Sequence, residues 1–108
     1  MARFAIFFTF KGETVRAMME RPSDRAAVVG GMLDSVGGKL EAYYLMFGEH
    51  DGMVIGEVPD AASAATVSLA VSSTGAFAHI ETTQLFDPGE MNDMLARAKD
   101  IAYTPPGA

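Results

Sequence analysis

Apolar positions recur along the chain in blocks whose spacing switches between strand-like and helix-like. RFAIFFTF, residues 3–10, is apolar on both faces, which suits a central strand covered on both sides. Residues 11–21 form a polar connector in which Val15, Met18 and Met19 are spaced for a short helix. Pro22-Ser23 then signals a helix start, with Ser23 as the expected cap. Val28 or Val29, Met32, Leu33 and Val36 supply that helix's apolar face, and Gly37-Gly38 ends it. Gly30 and Gly31 lie inside it at about 1 kcal/mol each relative to alanine, so close approach to the sheet or a neighbouring helix is expected there.

Leu40 to Phe47 and Met53 to Val58 read as two strands joined by Gly48-Glu49-His50-Asp51-Gly52, a length that suits a hairpin. Pro59-Asp60 opens a second helix, AASAATVSLAVSS, with Asp60 as its cap. Ala64, Ala65, Val67, Leu69 and Val71 make its expected face, and their small size implies a helix lying close to the sheet. AFAHIETTQLF, residues 76–86, alternates as a strand. Asp87-Pro88-Gly89-Glu90 resembles a capping box with proline at the first helical position. Met91, Met94, Leu95, Ala98 and Ile101 stripe the last helix, and residues 104–108 form a tail after a single domain spanning 1–103.

The order β-α-β-β-α-β-α contains the split βαβ, or ferredoxin-like, α+β arrangement, followed by an extra C-terminal helix. Its antiparallel sheet carries helices on one face. Only the last helix remains for the other face, and one helix cannot cover four strands. Met53, Ile55 and one set of first-strand Phe residues would point that way, and an uncovered apolar sheet face predicts a partner. A symmetric homodimer packed sheet on sheet is the simplest solution.

Composition narrows the functional classes. The 108 residues carry a net charge of −6 and no cysteine. No Lys/Arg cluster runs along any segment, which argues against a nucleic-acid or anionic-membrane partner. The missing cysteine excludes disulfides, thiolate nucleophiles and sulfur-ligated zinc, and fits a reducing compartment. The apolar start is too short for a signal sequence or a membrane span, so a cytoplasmic protein is expected.

The stretch GGKLEAYYLMFGEHDGMVIGEVPDAASAATVSLAVSSTGAFAHIETTQLFDPGEM resembles the GYD domain family. The resemblance rests on an ordered set of features over roughly residues 4 to 101. These are the Gly-x-Tyr-Asp-like hairpin, the Glu-x-Pro-Asp helix start with its Ala-rich helix, and the Thr-containing fourth strand ending in Phe-Asp-Pro. His50 stands where the family usually has Tyr, and Phe10 where it has Trp. The resemblance implies a dimeric α/β barrel, two ferredoxin-like units whose sheets enclose a cavity. Relatives of that barrel include cofactor-free monooxygenases, lactone isomerases, haem enzymes and plain binding proteins, so the fold does not select a chemistry.

Two polar sets carry the candidate chemistry. His50 and Asp51 sit in the hairpin, where Asp suits turn geometry and His suits acid–base work near neutrality. Alternation puts His79, Glu81 and Thr83 on one face of the fourth strand, and Glu57 shares a face with Asp51, Met53 and Ile55 on the third. If both faces are the open one, the groups lie roughly 10 Å apart across two strand spacings. The hairpin set also reads as turn chemistry alone, and the strand set as a polar dimer rim with ordinary salt bridges. His50 and His79 are therefore the candidate acid–base residues. Asp51, Glu57, Glu81, Thr83 and Phe10 are the candidate ligand-binding residues. Imidazole and carboxylate groups at 50, 79, 57 and 81 would suit zinc, iron or copper, but no pair has a diagnostic spacing, and no metal or other cofactor is assigned. Phosphate-loop, dinucleotide and Gly-x-Ser-x-Gly signatures are absent. The sequence thus supports three readings: a small-molecule-binding barrel, a cofactor-independent isomerase or monooxygenase, and a structural or regulatory oligomer.

Overall fold

A computed structural model describes all 108 residues. The elements run β1 (Ala2–Phe10), α1 (Gly12–Glu20), α2 (Arg25–Ser35), β2 (Lys39–Leu45), β3 (Gly52–Val58), α3 (Ala61–Ser72), β4 (Phe77–Leu85) and α4 (Pro88–Ala98). The sheet is antiparallel with strand order β2-β3-β1-β4, the expected ferredoxin-like arrangement. The Phe-rich first strand is central. Within one chain, however, helices cover only one of its faces.

The even-numbered side chains of β1 point to the helices. Phe4, Leu33, Val58, Ala64 and Val67 form the buried core, with Val29, Met32, Val36, Leu40 and Val71 packed around it. The choice left open between Val28 and Val29 resolves to Val29, while Val28 is 51% exposed. On α3 the inward face is Ala64, Val67 and Val71. Leu69 instead points to solvent at 72% exposure, because it falls two positions after Val67, about 200° around the helix.

Local hydrogen bonds explain most element boundaries. The Asp60 carboxylate accepts from the Ser63 N–H at 2.8 Å and from its hydroxyl at 2.7 Å. At α4 both halves of the capping box form: Glu90 N–H donates to Asp87 Oδ1 at 2.8 Å, and Asp87 N–H donates to Glu90 Oε1 at 3.2 Å. The cap of α2 differs from expectation. Asp24, one residue after Ser23, accepts from the Ala27 N–H at 3.1 Å, since the helix begins at Arg25 and the capping position is the residue just before it. Gly37, at φ 78°, turns the chain out of α2 in the left-handed region.

Gly30 and Gly31 do not mark a close approach. A Cβ on Gly30 would meet only the Leu40 side chain at 3.8 Å, and one on Gly31 would meet nothing. The tight contacts lie instead at Gly38, whose Cβ would run into the Glu57 carbonyl, and in β3. A Cβ on Gly56 would come within 2.9 Å of Leu33 Cδ1, and one on Gly52 would run into the Phe8 ring.

Two bulges alter which side chains face the helices. In β2, Leu40 pairs with Gly56 and Ala42 with Ile55, leaving Glu41 as the extra residue. Tyr43 is thereby turned inward beside Phe8, their ring centroids 6.0 Å apart. In β4, Thr9 pairs with His79 and Phe10 with Phe77, which skips Ala78. Phe77 therefore turns inward and stacks on Phe10 at 5.4 Å.

The last helix covers neither face of the sheet. It makes no extensive contact with any other element. Met91, Leu95 and Ile101 are exposed. The chain measures 57 × 34 × 24 Å with a radius of gyration of 17.3 Å, against about 13 Å for a compact domain of this length. Four strands and two core helices close a small core without α4, whose apolar stripe is left exposed.

Candidate functional site

The open face of the sheet carries the odd-numbered side chains of β1 and their cross-strand neighbours. Phe7 pairs with Met53 on one side and Glu81 on the other, Thr9 with His79, and Ala5 with Ile55 and Thr83. Alternation therefore assigns His79, Glu81 and Thr83 to this face, together with Met53, Ile55 and Glu57.

One carboxylate joins the two histidines. Glu81 Oε1 lies 3.1 Å from His79 Nε2, and Glu81 Oε2 lies 3.9 Å from His50 Nε2. His50 reaches the strand from the hairpin by resting its ring against Phe7, centroids 5.4 Å apart. Its side chain is only 19% exposed, against 58% for His79 and 52% for Glu81. Nδ1 of His50 is buried with no hydrogen-bond partner. Buried polar atoms without partners are uncommon, and one on an imidazole marks an unused donor or acceptor.

The other candidates are arranged differently. Asp51 is fully engaged with backbone: its Oδ2 accepts from the Phe10 N–H at 2.8 Å, its own N–H donates to the Phe8 carbonyl at 2.8 Å, and its carbonyl accepts from the Met46 N–H at 2.7 Å. These bonds fasten the hairpin to the end of β1. Glu57 sits beside Arg3, four residues along β1 from Phe7, or roughly 13 Å from the histidine cluster. There Arg3 donates to Glu57 Oε1 at 2.9 Å and to Glu41 Oε1 at 2.8 Å. The Glu41 hydrogen bond and charge raise the guanidinium pKa further above its ordinary value. Thr83 is on the open face one alternation from Glu81. Phe10 is on the opposite face, inside the aromatic group with Phe8 and Phe77. No group of three His, Asp or Glu side chains has a geometry that would hold a metal ion.

Glu41 and Arg3 were missed by reading the sequence. The bulge that aims Glu41 across the sheet breaks the alternation by which faces are assigned, and no local pattern announces it. The approach of His50 to Glu81, thirty-one positions later, likewise depends on strand order.

On chemistry, the cluster offers a carboxylate acceptor and two imidazoles that donate or accept according to tautomer, beside an apolar floor of Phe7, Met53 and Ile55. Exposed ion pairs of this kind contribute little to stability. The face of a single chain is an open wall, and the larger concavities lie on the other side of the sheet. No helix is long and apolar enough to cross a membrane.

Comparison with solved structures supports the same architecture. The chain is similar to FFRP-DM1, with a TM-score of 0.54, 15% identity, and coverage of 80% of this chain and 100% of that one. It is similar to TTHA0845 from Thermus thermophilus, with a TM-score of 0.54, 16% identity and coverage of 81% and 95%. It also resembles At3g17210 from Arabidopsis thaliana, with a TM-score of 0.53, 7% identity and coverage of 81% and 95%. At these identities the likeness is one of fold. No curated protein matches the sequence. The GYD domain profile matches residues 4–95, most of the chain, and its named hairpin is the one that delivers His50 to Glu81; the chain belongs to the GYD domain family.

Proposed function

We propose that the protein is a small-molecule-binding barrel made from two copies of this chain, with the ligand held against the open sheet face. The observation that carries this reading is the His50–Glu81–His79 cluster beside the apolar side chains of Phe7, Met53 and Ile55. A second copy packed on that face would bury the apolar floor and close a cavity around the cluster. Inside it, His79 and Glu81 anchor a polar head, His50 sits at the entrance, and Thr83 extends the polar edge. A ligand carrying both a donor and an acceptor satisfies the cluster better than either alone. Native mass spectrometry of the protein as purified tests the proposal. The expected result is an even multiple of the chain mass with a non-protein adduct that is lost from the His79→Ala and Glu81→Gln variants. A bare monomer would sink it.

The orphaned Nδ1 of His50 favours a second reading, a cofactor-independent acid–base enzyme in which His50 or His79 removes a proton from an acidic C–H or phenol. The released adduct, incubated with the protein in deuterated water, separates the two. Deuterium entering a C–H position, and failing to enter with His50→Ala, indicates catalysis. No incorporation with unchanged binding indicates a binding protein.

A further inference from the structure

The helix-covered side of the sheet holds a groove that the open-face site does not use. It opens between α1, α2 and the end of α3, has a volume of about 540 Å³, and ten of its fifteen lining residues are hydrophobic. That volume falls within the range of small-molecule sites, roughly 300–1,000 Å³. A narrower cavity of about 50 Å³ continues beneath it toward Phe8, Val54 and Ile80. Phe10, Phe77 and Arg25 line both.

Three features distinguish this groove from a packing defect. First, the aromatic floor of the groove depends on the β4 bulge, and that of the narrower cavity beneath it on the β2 bulge. The skipped Ala78 turns Phe77 onto Phe10, and the extra Glu41 turns Tyr43 under α2. Second, Arg21 and Arg25 are its only charged lining residues in a chain of net charge −6. Neither forms an ion pair, since every ion pair in the chain involves Arg3 or a histidine. Arg25 instead lies against the Tyr43 phenol. Burial raises the pKa of that phenol, and the neighbouring guanidinium opposes the rise. Third, Asp24 takes over the capping of α2, which leaves the Ser23 side chain lining the groove beside the two arginines.

We infer that this groove is a second ligand site for an amphipathic carboxylate, with its apolar tail against Phe10, Phe77, Val29 and Val71 and its head on Arg21 and Arg25. Guanidinium groups bind carboxylates through paired, charge-assisted hydrogen bonds; Arg25 is half-buried and Arg21 exposed at the groove, and neither has a carboxylate partner, which is what such a head requires. The tail replaces water along aromatic and aliphatic walls. Met18 and Met32, at the rim and base, are unbranched side chains able to adjust to tails of different shape.

Decanoate and 1-decanol, which share a chain length but differ in charge, test the site by calorimetric titration of the full-length protein. Decanoate is expected to saturate at one per chain and to shift the amide resonances of Phe10, Val71 and Phe77. Arg21→Gln and Arg25→Gln are expected to weaken decanoate by about tenfold each while leaving 1-decanol within about twofold. Val71→Trp, which fills the groove, should abolish both. His79→Ala should change neither, so this result stands or falls apart from the open-face proposal. The inference is overturned if decanoate does not saturate in wild-type protein, or if the arginine variants lose both ligands equally. It is also overturned if binding appears only in the α4 variant Leu95→Asp, which would make α4 of a second copy the occupant of the groove.

Discussion

The two faces of one sheet, separated by a single backbone layer, follow opposite rules. On the helix side Phe4, Phe8, Val54 and Val58 are buried, Phe4 and Val58 within the core cluster, and glycine is required where side chains would collide. On the open side only Ala5 is buried, the charged groups pair across strands, and Met53, Ile55 and Phe7 are left partly exposed. Neighbouring residues on one strand therefore carry different duties. Val54 holds the domain together, whereas Ile55 presents a surface to something else.

The sharpest way to break that contrast is to make the same change at both positions. Val54→Asp places an unpaired carboxylate in a site that is 4% exposed, a penalty of several kcal/mol, on the scale of the whole stability. Loss of the cooperative thermal transition is expected in circular dichroism. Ile55→Asp should melt within a few degrees of wild type, with light scattering reporting the change as a smaller assembly mass. Equal damage from the two would mean that the faces are not distinct.

The glycines at the two ends of the hairpin give a smaller version of the same test. Gly52→Ala drives a methyl group into the Phe8 ring and should cost about 1–3 kcal/mol in chemical denaturation, the usual range for overpacking. Gly48→Ala meets no atom within 4 Å and should stay within about 0.5 kcal/mol.

Adjacent residues at the start of α2 extend the series. Asp24→Ala removes the cap and is expected to lower stability by about 1 kcal/mol. Ser23→Ala should leave stability nearly unchanged. A small pH-dependent effect concerns Asp60. Its hydrogen bonds to the Ser63 hydroxyl and N–H hold its pKa below the ordinary value of 3.8. The folded state therefore gains from the ionised form above the unfolded pKa, and that gain is lost as pH falls through the depressed folded value. Thermal melts between pH 6 and pH 2.5 should show a slightly steeper acid decline for wild type than for Asp60→Asn, which keeps a capping side chain but cannot titrate.

How much of this was legible in the sequence depends on the distance over which each feature acts. The caps at Asp60 and Asp87 join residues three apart, so local patterns disclose them. At Ser23 and Asp24 two adjacent residues could each cap α2; the proline before Ser23 points to Ser23, and the cap falls one residue later, on Asp24. Strand order and the face shared by His79, Glu81 and Thr83 follow from alternation within unbroken strands. Alternation fails at the bulges, and with it fails any reading of Tyr43, Phe77 or the Arg3–Glu41 pair. The standoff of α4 was equally hidden. Its stripe of Met91, Leu95 and Ile101 reads as a core-facing helix whether the core belongs to this chain or to another.

The bulges also set where the chain can change length. Glu41 is the residue of β2 that pairing with β3 does not need. Deleting it would keep Leu40 and Tyr43 inward and Ala42 and Tyr44 outward, at the loss of one partner for Arg3. Ala78 has the same status in β4. Shortening β3 by a residue anywhere in its interior would instead turn the remainder of the strand over. Single-residue gaps among homologues of this sheet should therefore gather at these two positions and avoid the strand that runs between the hairpin and α3.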